Sequence, residues 1–181
     1  DGIYLYIVSH SVDQVIQYTL STAWDVSTGS YTREQALTIA DGSSYANPTS
    51  INFKPDGTMF WVTSQDKDTV QQYTLSSAWD VSTISVGNLF SLANFFDLTR
   101  LETISSSADL GAVDSVWVSE DGKKFWLFES SFDTIHQLDL STAFNVTTAT
   151  YSGSTGPRTT PYQGDAGGLY VNETIGKAFT V

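Results

Sequence analysis

Residues 1–28 read DGIYLYIVSHSVDQVIQYTLSTAWDVST, and this stretch occurs in three versions along the chain. The second version, residues 56–83, reads DGTMFWVTSQDKDTVQQYTLSSAWDVST. The third version, residues 121–148, reads DGKKFWLFESSFDTIHQLDLSTAFNVTT. Repeats of this size are typical of folds that stack one small structural unit or arrange it around an axis. The repetition therefore indicates the fold class more strongly than any single residue does.

Each unit begins with an Asp-Gly pair, which is the strongest short signal for a β-hairpin turn because both residues tolerate a positive φ. Strands are expected before the pair, as in SINFKP (50–55) and SVWVSE (115–120), and after it, as in FWVT (60–63). A third strand follows at VQQYTL (70–75), and a fourth, less regular strand at SVGNLFSLA (85–93). Four short strands in each unit, without helical periodicity, predict an all-β chain.

The strand after each turn is apolar on both faces. In the second unit one face carries Phe60 and Val62, and the other carries Trp61. An antiparallel strand with one wet side alternates apolar with polar residues, so these strands are expected to be covered on both sides. The blades of a β-propeller, which are four-stranded antiparallel sheets packed side by side around an axis, give this pattern. We therefore predict a β-propeller segment of about three blades.

The whole chain, residues 1–181, is expected to be a single propeller segment. Its repeat units start at 1, 56 and 121, and a truncated unit starts near 165. An insertion at Phe95–Asp109 interrupts the pattern before the third unit. Because a closed ring needs about 4 to 8 blades, the remaining blades are expected to come from other copies of the chain or from further sequence.

The composition restricts the partners of the chain. Twenty acidic and eight basic residues give a formal net charge of −12, which disfavours a surface that binds nucleic acid phosphates. The chain has no cysteine, so disulfides, thiolate metal sites and cysteine nucleophiles are excluded. No apolar run approaches the roughly 18 residues of a membrane helix, and we expect neither a membrane span nor a cofactor.

The repeat, written DGxxxYVxxxxxDxVxQYxLSTAWDVST, resembles a β-propeller repeat of marine bacteriophage structural proteins and of marine bacterial surface proteins. FKPDGTMFWV (53–62) is also similar to broader families with a strand, a PDG turn and a strand. The resemblance covers 1–83 strongly, 112–148 well and 164–181 as half a blade. It implies a tail fibre, another virion appendage or an extracellular adhesin, and hence a location on a virion or a cell surface.

The loop after the third strand carries one aromatic residue in each unit. Repeated aromatic side chains at blade edges suit stacking on sugar rings, whereas the alternative is that each ring fills a gap between neighbouring blades. The next residue is Asp or Asn, which either binds calcium together with nearby hydroxyls or accepts backbone hydrogen bonds at a turn. The candidate ligand-binding residues are Trp24, Asp25, Trp79, Asp80 and Phe144.

No motif of a catalytic site is present: the sequence has no nucleophile elbow, no HExxH and no phosphate-binding glycine loop. His10 and His136 stand at different repeat positions, so we assign neither a metal site nor a catalytic residue. Enzymes built on propellers usually place carboxylates or metal ligands along the central channel. The candidates for such positions are Asn52, Asp114 and Asp165.

Three functions follow from these observations. The first is a non-catalytic structural and recognition module that binds surface glycans, and under it the chain is not an enzyme. The second is a purely architectural module in which several chains complete a ring. The third is a hydrolase or lyase with a site in the channel.

Overall fold

The computed structural model describes residues 2–40, 42, 47–67, 69–91, 113–130, 134–155 and 167–180. These residues form short strands joined by turns, with single 3₁₀ turns at Val26–Thr28, Val81–Thr83 and Val146–Thr148. The strands are β1 (Tyr4–Ser9), β2 (Gln14–Leu20), β3 (Gly29–Ala36), β4 (Pro48–Phe53), β5 (Met59–Ser64), β6 (Thr69–Leu75), β7 (Ile84–Ser91), β8 (Val113–Val118), β9 (Lys124–Glu129), β10 (Thr134–Leu140), β11 (Ala149–Ser154), β12 (Leu169–Asn172) and β13 (Lys177–Thr180).

The strands form antiparallel sheets that follow the sequence repeats. Blade 1 contains β1-β2-β3, blade 2 contains β4-β5-β6-β7, blade 3 contains β8-β9-β10-β11, and β12 pairs with β13 in a fourth, two-stranded sheet. The inner strands β4, β8 and β12 lie side by side. The predicted all-β class and the four-stranded antiparallel blades are therefore confirmed.

The Asp-Gly turns form for the expected reason. Gly57 has a φ of 71°, and Lys54 N donates to Met59 O at 2.9 Å to close the hairpin. The Asp56 carboxylate accepts a hydrogen bond from Thr58 N at 3.0 Å. Hydrogen bonds from the Lys54 ammonium and from the Thr58 hydroxyl lower the pKa of Asp56 to about 2. This carboxylate therefore stabilises the turn in its ionised form.

The core lies between the blades, as the two apolar faces of the second strand predict. Phe60 and Val62 of β5 pack toward blade 1, while Trp61 packs toward blade 3. All three side chains are fully buried. In blade 3, Phe125 is fully buried against blade 2, whereas Trp126 is half-buried against β12. Burial of both faces requires a blade on each side.

Polar side chains join the inner strands of adjacent blades. Ser50 Oγ accepts a hydrogen bond from Val116 N at 3.2 Å, and Asn52 Oδ1 accepts one from Val118 N at 3.1 Å. Ser115 Oγ accepts one from Leu169 N at 3.0 Å. Asn52, a candidate for the channel, thus links two blades.

Two predicted features lie outside the described residues: the insertion at Phe95–Asp109 and the channel candidate Asp165. Within the described ranges, no helix has the length and apolarity needed to cross a membrane.

Candidate functional site

The aromatic residues of the repeated loop lie on the Asp-Gly turns of their own blades. Trp79 N donates to Gly57 O at 2.9 Å, and a Cβ added to Gly57 would lie 2.2 Å from the Trp79 ring. Phe144 N donates to Gly122 O at 2.8 Å, and its ring occupies the same place. Trp79 also stacks on Phe53, with ring centroids 5.5 Å apart. The Trp79 and Phe144 rings are therefore packed on their turns and partly buried, whereas Trp24, which lies on Gly2 in the same way, is 81% exposed.

The residue after each aromatic ring caps a 3₁₀ turn. Asp80 Oδ1 accepts hydrogen bonds from Ser82 N at 3.0 Å and from Ser82 Oγ at 2.6 Å. Asp25 and Asn145 cap the equivalent turns in the same way. The Ser82 hydroxyl and the Arg33 guanidinium hold the pKa of Asp80 below its usual value. The five predicted ligand-binding residues thus have structural roles, and a ligand contact at any of them remains a prediction.

A buried pair of acid–base side chains lies at the opposite end of blade 3 from the Asp-Gly turn. Glu129 is the last residue of β9, and His136 lies on β10. Glu129 Oε2 lies 3.1 Å from His136 Nε2. The two side chains are only 7% and 10% exposed. Glu129 Oε1 is also buried, and it accepts no hydrogen bond within the described part of the chain.

Asp114 lies next to this pair. It is the bulged residue between Val113 and Ser115, and Val113 pairs directly with Glu129. Asp114 Oδ2 accepts a hydrogen bond from Ser130 N at 3.0 Å. Its Oδ1 lies 3.5 Å from Gln65 Nε2 of blade 2. We call Asp114, Glu129 and His136 the acid–base cluster; it is held between blades 2 and 3.

The acid–base cluster departs from the repeat at all three of its positions. Strand registers place Thr49, Ser64 and Gln71 of blade 2 at the positions of Asp114, Glu129 and His136. Gln71 has a structural role: its side chain accepts from Ala40 N at 2.9 Å and donates to Gln72 O at 2.7 Å. Blade 3 replaces this amide with an imidazole that meets a carboxylate. Changes at three repeat positions thus meet at one place.

The sequence analysis identified Asp114 as a channel candidate but missed Glu129 and set His136 aside. The pair has no linear motif, because its members come from two neighbouring strands. The available signal was the loss of repeat symmetry: Ser64 and Gln71 are replaced together by ionisable residues. Among the described residues, no group of three or more His, Asp or Glu has the arrangement of a metal site.

No protein-family model matches the chain, and no curated protein sequence matches it. Solved structures do resemble it. A Bacteroides uniformis protein assigned as a 6-phosphogluconolactonase has a TM-score of 0.57 and 12% identity, over 99% of this chain and 44% of the other. The periplasmic gluconolactonase of Pseudomonas aeruginosa has a TM-score of 0.50 and 15% identity, over 86% of this chain and 38% of the other. Kuenenia stuttgartiensis hydrazine synthase has a TM-score of 0.54 and 16% identity, over 96% of this chain and 37% of the other.

The chain thus spans less than half the length of each of these proteins. At identities this low the likeness shows the propeller fold, and function has to be argued from the site.

Two expectations from the sequence need correction. A non-catalytic recognition module on a virion appendage or adhesin is wrong, because the structural neighbours include proteins named as lactonases, which agree better with the alternative of a propeller hydrolase. The virion or cell-surface location is wrong as well, since these neighbours include a periplasmic enzyme and point to no virion. The glycan-binding expectation rested on the aromatic side chains of the repeated loops, and the structure places these rings on the Asp-Gly turns of their own blades.

Proposed function

We propose that the chain forms part of a β-propeller hydrolase that opens lactones, the internal esters of hydroxy acids, at the acid–base cluster. One observation carries this proposal: a buried Glu129–His136 pair, 3.1 Å apart, stands where blade 2 has serine and glutamine. Buried ionisable groups destabilise a fold unless they are paired, so their presence in one blade only indicates a functional role.

The pair has the geometry of a general base and its orienting carboxylate. In the proposal Nε2–H of His136 donates a hydrogen bond to Glu129 Oε2, 3.1 Å away, and the imidazole acts as the base. The Glu129–His136 pair takes a proton from a water molecule as the water oxygen attacks the carbonyl carbon of the lactone. The ring C–O bond then breaks, and the departing oxygen takes the proton back from the imidazole. The product is a hydroxy acid, and no electron transfer is involved.

Asp114 is a positioning residue in this scheme. Its carboxylate holds the backbone N–H of Ser130, the residue after Glu129, at 3.0 Å. This contact fixes the end of β9 and therefore the carboxylate of Glu129. Glu129 Oε1 is a buried acceptor and needs a donor. In the proposal a hydroxyl of the substrate or the attacking water supplies that donor.

The charge of the chain favours an unphosphorylated substrate. Its net charge of −12 repels a phosphate ester over the range of the protein field. The names of the two lactonase neighbours support the lactone class, and the charge supports a neutral sugar lactone within that class. The first support rests on similarity of structure and the second on charge, and neither rests on sequence identity.

Acid release from D-gluconolactone, followed with a pH indicator, tests the proposal. The chain is expected to exceed the spontaneous rate, and His136→Gln is expected to lose about 100-fold or more of that excess. This variant installs the residue that blade 2 carries at the same position, so its fold is expected to persist. A 6-phosphorylated lactone is expected to react more slowly. A wild-type rate equal to the spontaneous rate, or an unaffected His136→Gln variant, would overturn the proposal.

A further inference from the structure

A buried tryptophan–glutamine pair lies at the interface between blades 2 and 3. Trp61 on β5 pairs directly with Gln72 on β6, so the two side chains lie together on the face that packs toward blade 3. Trp61 is fully buried, and Gln72 is only 5% exposed. Within the described part of the chain, Trp61 Nε1 and Gln72 Oε1 take part in no hydrogen bond. Buried polar atoms need partners, so this pair points to a partner from outside the chain.

The same pair in blade 3 is joined by a direct hydrogen bond. Trp126 pairs with Gln137 in the same register, and Trp126 Nε1 donates to Gln137 Oε1 at 3.2 Å. An indole and an amide at these repeat positions are therefore able to satisfy each other. In blade 2 the donor and the acceptor of this bond are both buried, and they do not meet.

Blade 1 shows which groups of the next blade face these positions. Tyr6 and Gln17 occupy the repeat positions of the tryptophan–glutamine pair. Gln17 Oε1 accepts a hydrogen bond from Val81 N at 3.3 Å, and the Tyr6 hydroxyl donates to Trp79 O at 2.7 Å. Both bonds cross from blade 1 to the loop of blade 2 that carries the aromatic ring and the capped 3₁₀ turn. This loop therefore offers one donor and one acceptor to the preceding blade.

The corresponding loop of blade 3 faces the pair in blade 2. The Trp61 ring stacks on Phe144, with ring centroids 6.2 Å apart and 21° between the planes. Val146, the counterpart of Val81, is fully buried. Phe144 O and Val146 N thus stand where the acceptor and the donor stand one blade earlier. Gln72 Oε1 does not bond Val146 N directly, since it has no partner among the described residues.

We propose that one water molecule binds at the interface between blades 2 and 3 and joins these four groups. It accepts hydrogen bonds from Trp61 Nε1 and Val146 N, and it donates hydrogen bonds to Gln72 Oε1 and Phe144 O. A buried water typically makes about 2 to 4 hydrogen bonds to groups that would otherwise lack partners. Two donors and two acceptors use the full capacity of one water molecule.

The chemistry of the four groups selects water over an ion. The two N–H groups repel a cation, and the amide and carbonyl oxygens repel an anion, whereas water both donates and accepts. In blade 1 the hydroxyl of Tyr6 supplies an oxygen at the corresponding place. An indole N–H extends less far from the backbone than a phenol hydroxyl does. With Trp61 in place of tyrosine, a separate molecule therefore has to supply that oxygen.

Nuclear magnetic resonance of the isotope-labelled 181-residue chain tests this proposal. We expect a nuclear Overhauser contact between the Trp61 indole proton and a long-lived water molecule. Trp61→Tyr installs the residue that blade 1 carries at this position, and its loss of one indole signal identifies the Trp61 resonance. Because the wild-type spectrum decides the proposal, the test stands even if the variant folds poorly. A Trp61 indole proton without a contact to water would overturn the proposal.

Trp126→Phe is the matched control. It removes an indole that bonds its glutamine directly, and it is expected to leave the contact between Trp61 and water unchanged. A crystal structure of the chain provides a second measurement, with a water oxygen expected about 3 Å from both Trp61 Nε1 and Gln72 Oε1. In Trp61→Tyr the new hydroxyl is expected to replace that water and to donate to Phe144 O. A direct bond between Trp61 and Gln72, or a dry site, would also overturn the proposal.

Discussion

Asn88 on β7 donates its side-chain amide to Oδ1 of Asn145 at 3.0 Å, at the place where Arg33 on β3 meets Asp80 one blade earlier. Each pair joins the outer strand of one blade to the capped 3₁₀ turn of the next. The change from Asp80 to Asn145 is thus matched by the change from Arg33 to Asn88. The turn keeps its capping oxygen in both cases, and the contact across the blades stays complementary.

The pairing predicts coupled effects on stability. Asp80→Asn is expected to lower the free energy of unfolding by up to about 1 kcal/mol, since the pair with Arg33 is partly exposed and solvent screens it. The double variant Arg33→Asn with Asp80→Asn reproduces the Asn88–Asn145 pair and is expected to recover part of that loss. Urea denaturation of both single variants and the double variant measures the coupling. Strictly additive effects would contradict the matched pairing.

Stability is expected to fall in acid as the Asp56 carboxyl is protonated. The folded state lowers the pKa of Asp56 from 3.8 to about 2. The stability that this carboxylate contributes is therefore fully present above pH 3.8. It is lost as the pH falls from 3.8 toward 2. Asp56→Asn keeps an acceptor for Thr58 but cannot titrate, so its urea midpoint should depend less steeply on pH in this range. Asp66→Asn removes one exposed charge elsewhere and serves as the control. Equal slopes for Asp56→Asn and the wild type would refute this role of Asp56.

Gly57 is expected to tolerate no side chain. A side chain at this position would have to adopt a positive φ of 71°, which strains the backbone. Its Cβ would also lie 2.2 Å from the Trp79 ring, which is a clash. Gly57→Ala is therefore expected to lose about 2 kcal/mol or more. Gly42→Ala is the matched control, because Gly42 has a φ of 82° but no atom of the described residues lies within 4 Å of the added Cβ; it should lose only the backbone part, about 1 kcal/mol. Thermal unfolding compares them, and equal losses would show that the ring does not restrict the turn.

The sequence predicts much of the fold because repetition makes the same physical demand several times. The Asp-Gly turns need a positive φ, and the strands after them need cover on both faces. Both demands can be read from the residue types in each unit. The packing of the loop aromatics was an open alternative, since a sequence does not show that Trp79 lies on the glycine of its own turn. That contact joins positions far apart along the chain.

The site is harder to predict from the sequence for a physical reason. Glu129 and His136 become neighbours only through the pairing of β9 with β10, and neither belongs to a linear motif. Asp114 was found because it is a carboxylate on an inner strand, where enzymes built on propellers line their channel. A comparison of the units with one another, rather than with known motifs, would have identified all three residues.

Lactone hydrolysis by the variant Asp114→Thr, Glu129→Ser, His136→Gln shows whether the acid–base cluster carries out the reaction. The variant gives blade 3 the residues that blade 2 carries at the same positions, so it separates chemistry from folding. We expect a circular dichroism spectrum and an unfolding transition close to those of the wild type, with hydrolysis reduced to the spontaneous rate. A folded variant that still opens D-gluconolactone as fast as the wild type would contradict it.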